Sequence, residues 1–141
     1  MNLTLTQAKL GMVVLRFVDG RLLKGTTHDF LPDRAEIHVH EDGDESRPAL
    51  KVALSGLKAI FFVRSFAGDA ARQLNDELAD ARGQGRKVVV HFKDGEVLRG
   101  FTVGYNPAKR GFFVIPSDPG CNNMRVYVFN EAVDRIEWWK P

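Results

Sequence analysis

Residues 13–25, VVLRFVDGRLLKG, decide the fold because they recur at residues 88–100 as VVVHFKDGEVLRG, a shift of 75 positions. The match continues without a gap, and ten of the 28 positions from 13 to 40 are identical in the second copy. A fixed period of this kind indicates one structural unit used twice. We therefore expect the 141 residues to form two similar small units and a connection between them.

Each copy is typical of a β-hairpin. Val13, Leu15 and Phe17 are two positions apart, which is the period of a strand with one buried face. An Asp-Gly pair, at 19–20 or 94–95, then separates two strand-like runs. Glycine accepts the positive φ that a tight hairpin turn needs, so the sequence predicts a hairpin tip at each pair.

Three further strand-like segments follow the hairpin in each copy. They lie at 37–40, 50–54 and 59–63 in the first copy and at 112–115, 125–129 and 135–139 in the second. Five short strands are too few for a sandwich, whereas a closed barrel leaves no exposed edge. The expected fold is mainly β, with two tandem five-stranded small barrels at residues 1–66 and 86–141.

The connection between the copies, residues 67–85, is predicted to contain an α-helix at 69–82. Its apolar residues recur at spacings of four and three and form one stripe, Ala70, Leu74, Leu78 and Ala81. The stripe is narrow and rich in alanine. We therefore expect this helix to lie across a barrel rather than to build a core of its own.

The order of elements in each copy resembles the Sm-like and SH3-like small barrels: a strand, an Asp-Gly hairpin, a second strand bending at a glycine, and an apolar third strand. Segments 57–63 (LKAIFFV), 111–119 (GFFVIPSDP) and 122–128 (NNMRVYV) also resemble a family of uncharacterised bacterial domains. Members of that family sometimes accompany PilZ or receiver domains. The resemblance implies a regulatory or signalling context in a bacterium.

The composition narrows the classes of function. The net charge of +2 gives no whole-molecule field that would mark a nucleic-acid or membrane binder. No apolar run approaches the ~20 residues that span a bilayer, and the first residues lack the pattern of a signal peptide, so a cytoplasmic protein is expected. The single cysteine, Cys121, excludes an intramolecular disulfide and a cysteine-based zinc site.

No catalytic constellation is visible, so the sequence predicts a protein that is not an enzyme and has no cofactor. His38 and His40 lie on one face of a predicted strand, which can begin a metal site. A third ligand is not evident in the sequence, and no metal is expected. Cys121 has no histidine near it in the sequence that could activate it as a nucleophile.

Positive charge is concentrated in the second half, where residues 86–141 carry a net +3 while residues 11–66 are neutral. Guanidinium groups fork onto phosphate and other anionic groups. The sequence therefore places a candidate ligand-binding site in this half, at Arg82, Arg86, Asn106, Lys109 and Arg110.

Two resemblances imply particular ligands for these residues. Arg82 and Arg86 have the spacing of the arginines in a PilZ cyclic-dinucleotide site, although Ala108 stands where that pattern has a serine. Asn106 holds a loop position that Sm proteins use for RNA, although neither copy has their late Arg-Gly pair. The resemblances thus imply a cyclic dinucleotide, or RNA or another single-stranded nucleic acid, as alternative ligands.

The function predicted from the sequence is a non-catalytic binding or adaptor module. A protein is the favoured partner, with single-stranded nucleic acid and a cyclic dinucleotide as the alternatives. No membrane partner is expected. A homo-oligomer is left open.

Overall fold

The computed structural model describes residues 11–66, 85–118 and 120–139. It contains β1 Met12–Phe17, β2 Leu22–Thr26, β3 Glu36–Glu41, β4 Leu50–Ala53, β5 Leu57–Val63, β6 Arg86–Phe92, β7 Val97–Thr102, β8 Gly111–Pro116, β9 Asn123–Phe129 and β10 Val133–Trp138, with a short 3-10 turn at Asn130–Ala132. The prediction of a mainly β protein is confirmed. The helix predicted at 69–82 lies outside the described residues. Within those residues, no helix is long and apolar enough to cross a membrane.

The ten strands form one antiparallel sheet in the order β10-β6-β7-β8-β9-β5-β1-β2-β3-β4. Each half, β1–β5 or β6–β10, contributes its own five strands in the order fifth, first, second, third, fourth. The two halves are joined by β5 and β9, which pair Ala59 with Val128 and Phe61 with Val126.

The structure has this single open sheet in place of the two closed barrels predicted from the sequence. Closing a half on itself would need its fifth strand to pair with its fourth. Instead β5, the fifth strand of the first half, pairs with β9, the fourth strand of the second half. β5 and β9 thus join the two halves. β4 and β10, with which they would have closed two barrels, lie at the ends of the sheet.

The middle of the sheet is buried on both faces, and its two faces belong to different cores. All seven residues of β5 are buried. Ile60 and Phe62 lie in a core with residues of the first half, which we call the first core. Ala59, Phe61 and Val63 lie in a core with residues of the second half, which we call the second core. Burial of each large side chain contributes about 1.5–3 kcal/mol, so each half depends on strands of the other.

Both Asp-Gly pairs form hairpin tips, as the sequence predicted. Gly20 and Gly95 each have a φ of +94°, a conformation that side chains rarely adopt. The amide of each donates a 3.0 Å hydrogen bond to the carbonyl of the phenylalanine three positions earlier, Phe17 or Phe92.

A β-bulge recurs in the fifth strand of both halves. In β5 the register against β1 shifts between Arg16 and Phe17, which leaves Lys58 as the extra residue. In β10 the register against β6 shifts at the corresponding place, and Asp134 is the extra residue. Bulges re-aim the side chains next to them, and in β5 this brings a lysine to the junction of the two halves.

Candidate functional site

The two halves meet at a cavity of about 490 Å³, which we call the inter-half groove. It lies between the turn that joins β4 to β5 and the loop that joins β7 to β8. Residues 54–57 line one side, and residues 107–110 and 129–131 line the other. Both halves therefore contribute side chains to one concave surface.

The turn from β4 to β5 is fixed by its glycine and by two buried leucines. Gly56 has a φ of +88°, and the Leu57 amide donates a 3.2 Å hydrogen bond to the carbonyl of Leu54. Leu54 and Leu57 are both buried in the first core. The carbonyl of Gly56 accepts a 2.9 Å hydrogen bond from the Val18 amide, which ties this turn to the first hairpin.

The loop from β7 to β8 is held by amide side chains. The Asn106 side chain accepts a 2.9 Å hydrogen bond from the Ala108 amide, which is the geometry of an Asx turn. Asn130 Nδ2 donates to the carbonyls of Asn106, at 3.2 Å, and of Lys109, at 2.9 Å. These bonds fix the loop and leave the side chain of Lys109 exposed beside the groove.

Arg110 connects this loop to the corresponding loop of the first half. Its guanidinium donates hydrogen bonds to the carbonyls of Arg34 and of Pro32, the latter at 3.4 Å. Part of its donor capacity is therefore engaged by the protein itself. Burial of Tyr127 raises the pKa of its hydroxyl, and the positive charge of Arg110 partly opposes that rise.

Lys58 forms a second polar connection between the halves. Its side chain is only 7% exposed, and its ammonium donates hydrogen bonds to Asp94, at 2.7 Å, and to Glu96. Nζ also lies 4.6 Å from the centre of the Phe92 ring. The hydrogen bond from Lys58 is the largest cause that lowers the pKa of Asp94, followed by the bond from the Glu96 amide. The tip of the second hairpin is thus held against β5.

A second cavity, of about 280 Å³, lies beside this lysine. It shares Gly56, Leu57 and Glu131 with the inter-half groove, so the two cavities are adjacent. Lys93 and Asp94 also line it. The surface along the junction of the halves therefore has a buried apolar floor and a rim that carries both signs of charge.

Arg86 lies in a different place from the other predicted site residues. Its guanidinium stacks 3.7 Å from the centre of the Trp138 ring, and Trp138 contacts Tyr105 edge-on at 5.5 Å. These three residues line a cavity of about 260 Å³ together with Gly85, Thr102 and Val103. No lining residue is common to this cavity and the inter-half groove.

The candidate residues taken from the sequence are therefore distributed over two surfaces. Lys109 and Arg110 line the inter-half groove, and Asn106 supports their loop. Arg86 lines the aromatic cavity. Arg82 lies outside the described residues.

The histidines are engaged mainly in pairs with carboxylates. His38 Nδ1 lies 2.8 Å from Asp29, and His91 Nε2 lies 2.9 Å from Glu137. In the part of the chain that the structure describes, no three His, Cys, Asp or Glu side chains converge as a metal site would require. Cys121 is buried, and its thiol donates to the carbonyl of Asn123.

Lys58, Ser55 and Asn130 belong to the junction but were not singled out from the sequence. The sequence does contain an indication for Lys58, because a lone charge inside the apolar run 57–63 requires a partner when that run is buried. No pattern in the sequence indicates the role of Ser55 or Asn130. Their place in the groove follows from the pairing of β5 with β9, which joins segments far apart in the chain.

Comparison with known proteins gives a family and no function. No curated protein and no solved structure matches the chain. Residues 9–139 match the model of a family of unknown function, DUF6982, over nearly the whole sequence. The chain therefore belongs to the DUF6982 family.

Proposed function

We propose that the chain is a non-catalytic binding module and that its partner is another protein, which it contacts through the inter-half groove. The observation that carries the proposal is the groove itself, formed where side chains of both halves line one cavity of about 490 Å³. Clefts of this size are where ligands usually bind, and an anchoring side chain of a partner protein can fill such a pocket.

The composition of the groove supports a peptide or protein ligand. Leu54, Leu57 and Phe129 lie almost completely buried beneath it, while Lys109 and Glu131 are exposed on its rim. Charges of both signs at the rim suit a partner with polar groups of both kinds. They favour specificity and orientation more than affinity.

The alternative of a phosphate-bearing ligand receives less support. A dinucleotide clamp needs guanidinium groups that reach the same ligand. Arg86 stacks on Trp138 in a separate cavity, and Arg110 donates to carbonyls of the first half. A regulatory setting in a bacterium is part of the same proposal, on the resemblance of the sequence to domains found in such settings.

The test is a variant that fills the groove without touching the cores. Ala108 is exposed and lines the groove, so Ala108→Trp introduces bulk directly into it. Ala35→Trp is the matched control, because Ala35 is an exposed loop alanine of the first half that does not line the groove. Peptides are selected from a random library on the parent protein, and their affinities are measured by titration calorimetry.

We expect the selected peptides to bind the parent and Ala35→Trp equally and to bind Ala108→Trp at least about tenfold more weakly, a change of about 1.4 kcal/mol. RNA oligomers and cyclic dinucleotides are titrated in parallel. Equal peptide binding by all three proteins would contradict the groove. Binding of RNA or a dinucleotide that falls steeply with salt, with no peptide enriched, would replace the protein partner by an anionic ligand.

A further inference from the structure

The fourth strands of the two halves, β4 and β9, hold equivalent places in the sheet. In the first half Val39 pairs with Leu50. In the second half Val114, which stands 75 positions after Val39, pairs with Val126. Leu50 and Val126 are therefore equivalent, and so are the residues two positions further on, Val52 and Val128.

These equivalent residues differ in exposure. Val126 is completely buried, whereas Leu50 is 43% exposed although it faces the same side of β4 as the buried Val52. The cause is the neighbouring strand. Phe61 of β5 lies directly opposite Val126 and packs in the same core. Among the described strands, none pairs with the outer edge of β4.

We propose that the outer edge of β4 binds an extended strand of a partner protein, in the way that β9 binds β5 within the chain. A free strand edge offers backbone hydrogen bonds to a segment added in trans. The internal pair defines the chemistry of that segment. As β5 places Ala59, Phe61 and Val63 in the second core, the partner's strand places small and aromatic apolar side chains, at alternate positions, over Leu50 and Val52.

The other edge strand, β10, of a second copy does not fit this edge. β10 is the equivalent of β5. Arg135 pairs with His91, and Ala59 pairs with Arg16, the residue 75 positions before His91. Arg135 and Glu137 thus stand where β5 has Ala59 and Phe61. Their side chains are 60% and 55% exposed in the chain, and pairing β10 with β4 would place both charges over an apolar core. Arg135 lies 3.6 Å from Glu137, but taking even paired charges out of water carries a large desolvation cost.

The opposite face of β4 sets the rest of the partner's chemistry. Lys51 is equivalent to Tyr127, which is buried opposite Ile60. The Lys51 side chain is 66% exposed and lies 3.6 Å from Glu36. A partner residue opposite Lys51 would therefore remain in solvent beside a cation. The strand that fits is amphipathic, apolar toward Leu50 and acidic or polar toward Lys51.

This inference rests on the proposed class of partner, a protein, but uses a separate surface. β4 shares no residue with the lining of the inter-half groove. Ala108→Trp therefore tests the groove, and variants of β4 test the edge. Failure of one leaves the result of the other intact.

The probe is a capped peptide of sequence Lys-Ala-Glu-Phe-Thr-Val-Lys. It keeps the Ala, Phe and Val pattern of β5 and puts polar residues on the face that meets Lys51. A matched peptide carries Arg and Glu in place of Ala and Phe, as β10 does. Each is titrated against the parent, Leu50→Lys and Leu22→Lys. Leu22 is the control because it is 45% exposed on β2, away from this edge.

We expect the first peptide to bind the parent and Leu22→Lys equally and to bind Leu50→Lys at least about tenfold more weakly, because the lysine would be buried by the added strand. Backbone amides of β4 should gain protection from hydrogen exchange on binding. Equal binding by Leu50→Lys, or equal binding of the charged peptide, would overturn the proposal.

Two further readouts identify a different occupant of the edge. If the amides of β4 are already protected in the monomeric parent and the peptide changes nothing, residues of the chain itself cover the edge. If sedimentation shows a dimer whose formation protects β4, the occupant is a second copy. Either result would also overturn a partner protein at this edge.

Discussion

β5 and β10 are the same strand of the two halves, yet one lies at the centre of the molecule and the other at its edge. Each pairs with the first strand of its own half, and each has a bulge at the same place. β5 is buried along its whole length, whereas Asp134, Arg135 and Glu137 are exposed on β10. The pairing partners are alike, so the difference in sequence reflects what lies on the other side of each strand.

The two hairpin tips show a related difference. In the first, Asp19 pairs with Arg21 of its own hairpin at 2.8 Å, and both side chains are exposed. In the second, Asp94 pairs with the buried Lys58 of the other half. The backbone of the two turns is the same, with both glycines at a φ of +94°. One tip is therefore a local turn, while the other also holds the halves together.

The largest effect is expected from truncating β5. Phe61→Ala removes a ring that is 7% exposed and packs in the core of the other half, so it should lower the free energy of unfolding by about 3–5 kcal/mol. Glu137→Ala, at the equivalent position of β10, should lower it far less, because it removes only an exposed carboxylate and its surface pair with His91. Urea unfolding of both variants measures the difference. Equal losses would mean that the two strands do not differ as their burial indicates.

A smaller effect is expected at the second hairpin, and its asymmetry is informative. The double variant Asp94→Asn, Glu96→Gln leaves the buried ammonium of Lys58 without a counter-charge and should cost about 2–3 kcal/mol. Lys58→Met removes the same ion pairs but leaves only half-exposed carboxylates, so it should cost about 1 kcal/mol or less. Urea unfolding tests the order of the two. A larger loss in Lys58→Met would show that the lysine is not the buried partner.

Local sequence pattern predicted the strands and hairpin tips because their signals are local. Alternating residues such as Val13 and Leu15 and the Asp-Gly pairs depend only on neighbours in the chain. The pairing of β5 with β9 joins residues far apart in the chain, so no local pattern predicts it. A run such as 57–63 reads equally well as the last strand of a closed barrel and as the centre of an open sheet, since both bury it.

The candidate site was accessible from the sequence only in part. Lys109 and Arg110 were found because charge and loop composition are visible in the sequence, and both line the inter-half groove. The groove itself was not predicted, because the turn at Ser55 and Gly56 faces them only after the halves are joined. Arg86 was grouped with them by charge, but its contact with Trp138 depends on the register of β10 against β6.

The smallest predicted effect is a change in the pH dependence of stability, and it distinguishes the two hairpins by the cause of each pKa shift. The pKa of Asp94 is lowered from 3.8, first by the hydrogen bond from Lys58. The pKa of Asp19 is also lowered, but first by the backbone amide of Arg21 and only then by its side chain. A carboxyl whose pKa is lowered by folding stabilises the protein at pH values above the pKa of the unfolded state. That stabilisation is lost as the pH falls through the pKa of the folded state.

Lys58→Met removes the largest cause of the lowered pKa of Asp94, so the free energy of unfolding should fall less steeply than in the parent as the pH is lowered from neutral to below 3.8. Arg21→Met keeps the largest cause at Asp19, so its profile should stay close to that of the parent. Urea unfolding at a series of pH values measures both slopes, and a flatter profile in Arg21→Met than in Lys58→Met would contradict the assignment.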